Sequence, residues 1–214
     1  MIEKSETSES DSEERINIMT LGNTEVGKTS FILKYTEDNF QEIYLATVGI
    51  DFKVKNVEIN EKTYKLFFYD TTGQEKYKSI ALNIIKNAHG IILMYDITSK
   101  LSFESIPEWI KSVKNAKGDL FPMILLGNKL DLQDKREVSI EEGKSLAEQN
   151  GMEFFETSNK EGTNINEAGL SILNKILERR QTDTFDITSN SNKSASKLKS
   201  EDTSTQVDNS KKCC

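Results

Sequence analysis

The chain has 214 residues and a formal charge of −7, with 36% hydrophobic and 29% charged residues. These proportions suit one α/β domain with tails, or at most two small domains. No apolar run reaches the roughly 18 residues of a membrane helix, and the polar, acidic stretch Met1–Glu14 is no signal peptide, so the expected address is the cytosol. Residues 1–14 are net −5, residues 179–214 net +2 and the body between them −4. An acidic body argues against nucleic acid as a partner. Cys213 and Cys214 are the only cysteines; being adjacent, they close no useful disulfide loop. With the single His89 they make no zinc set.

Three parts follow in chain order. Residues 1–14 are Ser/Glu-rich and read as disordered, residues 15–180 alternate strand and helix patterns, and residues 181–214 read as a flexible polar tail. The middle part opens with a strand at Ile16–Leu21, then a glycine-rich turn and a helix over Lys28–Tyr35. Val48–Ile59 and Thr63–Tyr69 flank Asn60-Glu61-Lys62 as a hairpin. Ile91–Tyr95, Met123–Leu126 and Phe154–Thr157 read as short buried strands, with helices near 79–88, 103–117, 139–150 and 165–179. This alternation predicts a mostly parallel sheet with helices on both faces. Ligands in such folds sit at the carboxyl ends of the strands.

The run Gly22-Asn23-Thr24-Glu25-Val26-Gly27-Lys28-Thr29 matches G-x-x-x-x-G-K-[ST] between a strand and a helix. Its glycines let backbone N–H groups converge on a phosphate, and the helix that follows presents its positive end. Lys28 supplies a point charge to the outer phosphates, and the Thr29 hydroxyl is a Mg²⁺ ligand. Alone, the loop means only a nucleoside triphosphate; ATPases and nucleotide kinases share it. Asn128-Lys129-Leu130-Asp131 ends a later strand. A carboxylate at Asp131 accepts from the N1–H and 2-amino edge of guanine and rejects adenine, which would leave buried polar groups unpaired. Asn128 can hold the loop, and the Lys129 stem can lie along the base.

These two motifs together resemble the Ras superfamily over essentially all of 15–178. The resemblance implies a P-loop NTPase (Ras-like) α/β fold with a six-stranded, mostly parallel sheet. It also implies GTP and GDP as ligands, Mg²⁺ as cofactor and slow GTP hydrolysis. Ser30, beside Thr29, would join the nucleotide site. A third loop, Thr157-Ser158-Asn159-Lys160, would touch the base by backbone N–H, with Asn159 in place of the family's usual Ala. Phe40 either packs on the guanine or belongs to the core. Asp70-Thr71-Thr72-Gly73-Gln74-Glu75 resembles the family's D-x-A-G-Q: Asp70 would hold Mg²⁺ through a water, Gly73 would donate to the γ-phosphate, and Gln74 would orient the attacking water. Thr47 would close on Mg²⁺ in the GTP state, and loss of the γ-phosphate would release both loops. Thr24, Glu25 and Thr72 depart from the usual pattern, and they bear on hydrolysis more than on binding.

Val48–Phe52, Lys65–Asp70, Gln74–Ile80 and Ile92–Thr98 are similar to the Rab branch, which regulates vesicle traffic. In that branch three aromatics meet effectors; here they would be Phe52, Tyr69 (where Trp is usual) and Tyr77. Lys211-Lys212-Cys213-Cys214 resembles the doubly geranylgeranylated Rab ending, in which two lipid chains anchor stably where one does not. A random-coil tail of 34 residues would let the body float about 30 Å from the membrane. The resemblance further implies a monomer on the cytoplasmic face of intracellular membranes, with a soluble cytosolic pool. Its partners would be an exchange factor, a GTPase-activating protein, a GDP-dissociation inhibitor, a prenylation escort protein and effectors. The alternative is a low-turnover, GTP-bound interaction module.

Overall fold

The computed structural model describes residues 14–39, 50–71 and 85–197, without side-chain detail at 50, 71 and 183–197. In chain order the elements are β1 (Glu14–Leu21), α1 (Lys28–Glu37), β2 (Ile50–Ile59), β3 (Lys62–Thr71), β4 (Gly90–Asp96), α2 (Lys100–Glu104), α3 (Ile106–Lys117), β5 (Met123–Asn128), α4 (Ile140–Gln149), β6 (Glu153–Thr157) and α5 (Ile165–Lys197), with a 3₁₀ segment at Leu130–Lys135. Six strands form one sheet in the order β2-β3-β1-β4-β5-β6. Only the β2–β3 pair is antiparallel. Two residues close that hairpin, and both have positive φ, Asn60 at 51° and Glu61 at 63°. That is the geometry whose twist matches paired strands, and it assigns Lys62 to the strand rather than to the turn.

The central strands are buried on both faces because helices cover both. Every residue of β4 and β5 is buried, as near-continuous apolar strands of parallel sheets require. On one face Leu21, Leu93 and Leu125 pack with Trp109, Ile110 and Val113 of α3. On the other, Tyr35 of α1 stacks on Phe31 at 6.2 Å and meets Phe68 of β3 edge-on at 5.2 Å. Ile172 and Ile176 of α5 approach Gly90 so closely that a Cβ there would overlap them. Each fully buried side chain of this size contributes about 1.5–3 kcal/mol.

Two helices differ from expectation. The span 103–117 is not one helix: α2 begins earlier, capped by the Ser99 side chain, which accepts from Ser102 N–H, and α3 restarts after Ser105 with proline in its first turn. Pro107 has no N–H to donate back to Phe103, so a continuous helix would leave that carbonyl unpaired. The second difference is α5, which continues past 179 to Lys197, over residues that composition assigned to the tail. From Leu170 to Lys197 the chain has neither Gly nor Pro, so nothing local stops the helix. The chain divides into two units at Ile176, and the sheet belongs to the first. Of the expected helix near 79–88 only the end is described, and 85–87 is helical. Among the described residues no helix is long and apolar enough to cross a membrane.

Candidate functional site

The glycine-rich loop joins the carboxyl end of β1 to the N-terminus of α1. Its shape demands unusual backbone at three points: Gly22 (φ 149°), Glu25 (φ 66°) and Gly27 (φ 98°). A Cβ on Gly22 would collide with the Met94 carbonyl, and one on Gly27 would meet the Asn159 amide nitrogen at 2.7 Å. Glu25 is the exception: exposed, it holds a left-handed conformation where glycine costs less. Thr24 is exposed beside it, and Ser30 is half-buried in α1. Asn23 is held from outside the loop. Its amide donates to Ser105 Oγ at 2.9 Å, and its oxygen accepts from the Trp109 indole at 3.4 Å.

Lys28 is 5% exposed. Its ammonium donates to the carbonyls of Gly22 (3.1 Å) and Asn23 (2.7 Å), so the loop closes around its own cation. Burial lowers the Lys28 pKa to about 8, partly offset by the nearby Asp70 carboxylate. A charge carried at such a cost suits a polyanionic ligand. The Thr29 hydroxyl donates to Asp70 Oδ2 at 2.5 Å. A hydroxyl and a buried carboxylate in contact beside a phosphate loop form a hard-oxygen pair of the kind Mg²⁺ prefers, so the residues present fit that ion.

The residues expected to select the base come from two neighbouring strand ends. Asn128 is 1% exposed; its amide donates to the Val26 carbonyl at 2.8 Å, and its oxygen accepts from Thr157 Oγ1 at 3.2 Å. It therefore ties the base loop to the phosphate loop. Lys129 has φ 70°, and its ammonium pairs with Asp96 Oδ2 at 2.7 Å. The other Asp96 oxygen accepts from Thr98 N and Oγ1, at 2.8 and 2.7 Å. Asp131 Oδ1 accepts from Ser158 Oγ at 2.6 Å, while Ser158 Oγ accepts from Glu161 N–H at 3.1 Å. The Asn159 amide donates to the Gly27 carbonyl at 2.9 Å. Lys160 is exposed.

The structure thus gathers Gly22–Ser30, Asp70, Asn128, Lys129, Asp131 and Ser158–Lys160 at one end of the sheet. Phe40, Thr47, Thr72, Gly73, Gln74, Tyr77, Cys213 and Cys214 lie outside the described residues. The sequence does not single out Asp96, Ser105 or Trp109, and it places Thr157 only in a loop expected to touch the base by backbone N–H. Each acts by holding a motif residue, across gaps of 29 to 86 positions in the cases of Thr157, Ser105 and Trp109, and no local pattern records such a link.

The aromatic face is built on β2 and β3, whose register pairs Phe52 with Tyr69. Phe52 is 53% exposed, and its ring lies 6.1 Å from Tyr69 and 5.9 Å from Phe67. Arg15 secures the face from β1. It donates to Tyr69 Oη at 2.8 Å and sits 4.0 Å from the centre of the Phe67 ring. The tyrosine that stands where tryptophan is usual thus gains a partner for its hydroxyl.

The family model for the Ras family matches residues 17–178. Among curated relatives, Ras-related protein Rab-3C of Bos taurus is 44% identical over 162 residues, 76% of this chain and 71% of the relative. Ras-related protein Rab-13 of Mesocricetus auratus is 45% identical over 160 residues, 75% and 79% of the two chains. Ras-related protein Rab-3A of Homo sapiens is 41% identical over 174 residues, 81% and 79%. These relationships do not favour a low-turnover interaction module, nor the ATPase or kinase that the phosphate loop alone would allow. The chain belongs to the Ras family and is a Rab-type small GTPase, one that binds and hydrolyses GTP.

Proposed function

We propose that the protein is a membrane-traffic switch whose GTP form binds effectors and whose GDP form releases them. The observation that carries this reading is the joining of base loops and phosphate loop into one site, with Asn128 on Val26, Asn159 on Gly27 and Ser158 on Asp131. In it the Gly22–Ser30 loop and Lys28 bind the phosphates, and Asp131 reads guanine with Asn128, Lys129, Ser158, Asn159 and Lys160 around it. Thr29 and Thr47 would hold Mg²⁺, with Asp70 acting through a water; when bound, the ion would neutralise phosphate charge. Gly73 donates to the γ-phosphate and Gln74 orients the water that attacks it. The protein supplies position and charge rather than covalent chemistry. Phe52, Tyr69 and Tyr77 meet effectors.

The reading extends to the carrier chemistry. Geranylgeranyl groups on Cys213 and Cys214 hold the protein on the cytoplasmic face of intracellular membranes, and a soluble pool is carried by a GDP-dissociation inhibitor. An escort protein presents the chain for prenylation; an exchange factor and an activating protein drive the cycle. The test is fractionation of cells expressing wild type or the Cys213→Ser/Cys214→Ser variant. Wild type should divide between membrane and cytosol. The variant should be soluble and keep wild-type GTP affinity, because the cysteines stand outside 15–180. A variant that still pellets with membranes would contradict the anchor.

A further inference from the structure

We infer that Asn159 is a positioning residue: its side-chain amide latches the third base-contacting loop onto the phosphate loop and slows nucleotide release. The inference rests on the site assignment above and adds a residue-level cause for retention. Three consecutive residues make three different links. Thr157 donates to Asn128, Ser158 donates to Asp131, and Asn159 donates across to Gly27. The first two stay among the base-reading residues. Only the third reaches the phosphates' side.

The geometry gives that link a specific task. Val26 and Gly27 present consecutive carbonyls, and each is held by a buried amide, Asn128 at 2.8 Å and Asn159 at 2.9 Å. The Gly27 carbonyl also accepts the helical N–H of Phe31 at 2.9 Å. Because a trans peptide is planar, fixing a carbonyl fixes the N–H on its other side, pointing the opposite way. The Gly27 carbonyl shares its peptide with the N–H of Lys28, the first residue of α1 and so one with no partner inside the helix. Asn159 therefore adds a second hold, beside the Phe31 N–H, on the direction of a donor that the site assignment turns toward the phosphates. An alanine, the family's usual residue here, can make no such bond.

Global stability is a poor reason for this side chain. Asn159 is 4% exposed, and among the described residues its buried Oδ1 has no hydrogen-bond partner. An unpaired buried oxygen offsets what the amide gains from one bond. Substitution should therefore register in nucleotide release rather than in unfolding.

The experiment follows release of a fluorescent GDP from full-length wild type, Asn159→Ala and Asn159→Asp in Mg²⁺, beside thermal melting of each nucleotide-free protein. Asn159→Ala should release GDP about three- to tenfold faster, the size of one net hydrogen bond, with the melting midpoint unmoved. Asn159→Asp keeps the shape but turns a carboxylate oxygen toward the Gly27 carbonyl, so it should release at least as fast. This isostere also serves if the alanine variant does not fold. Wild-type release from either folded variant would overturn the inference, as would faster release accompanied by a matching fall in melting temperature. A wild type that retains no GDP would overturn the site assignment itself.

Discussion

Replacing Lys28 with alanine should weaken GDP and GTP binding by about 100-fold or more. The ammonium makes two bonds to loop carbonyls, at 3.1 and 2.7 Å. In the proposed bound state its remaining donor capacity and its charge would serve the phosphate oxygens. Bonds to charged groups are worth about 1.5–3 kcal/mol each, and about 2.7 kcal/mol corresponds to 100-fold. The variant loses both the bonds that close the loop and the charge that would face the phosphates. Equilibrium titration with fluorescent GDP measures the effect, and affinity within threefold of wild type would remove Lys28 from the site.

The same lysine gives the wild type a pH dependence with a definite sign. Burial holds its pKa near 8, below the ordinary 10.5. Phosphates favour the ammonium, so above pH 8 binding must take up a proton and affinity should fall as pH rises. For folding without nucleotide the sign is opposite. The cost of burying the charge is fully present below about pH 8 and is relieved as pH rises toward 10.5.

Asp131→Asn should turn base preference from guanine toward xanthine, lowering the GTP/XTP selectivity by about 10³-fold or more, the scale on which a buried hydrogen-bonding site rejects an unmatched partner. In the proposed site, wild-type Asp131 would offer two acceptors to guanine's two donors. Ser158 donates to Oδ1 at 2.6 Å, and in the variant it can still donate to the amide oxygen. That fixes the new NH₂ where the second carboxylate oxygen stood. Guanine then meets a donor with its 2-amino group, whereas xanthine meets it with a 2-oxo acceptor. Competition binding of GTP and XTP to both proteins measures the change, and an unchanged ratio would mean that Asp131 does not read the base.

The strands, the hairpin and both nucleotide-binding loops were legible in the sequence because each is a short-range pattern. Ile91–Tyr95 and Met123–Leu126 announce buried parallel strands by unbroken apolarity, and the six-stranded sheet confirms them. Gly22 and Gly27 announce the loop by their spacing. Other features depend on groups distant in sequence. Asp96 pins Lys129, Trp109 reaches Asn23, and Arg15 holds Tyr69; none of these pairs is visible before the chain is folded. Asn159 was legible only as a departure from the usual alanine, with a backbone contact as its expected role. Its side chain proves to bridge to Gly27. The helix boundaries failed for local reasons. Pro107 divides the span 103–117, and between Leu170 and Lys197 a polar composition suggests a tail although neither Gly nor Pro stops the helix.

Single-turnover cleavage of bound GTP by wild type and Gln74→Leu under matched Mg²⁺ tests the switch most directly. Wild type should release phosphate slowly on its own, and an activating protein should accelerate it by roughly 10³–10⁵-fold. Gln74→Leu should bind GTP equally well and respond to neither water nor activator, because the residue proposed to align the attacking water is gone. Equal phosphate release from the two proteins, with or without the activator, would contradict the account.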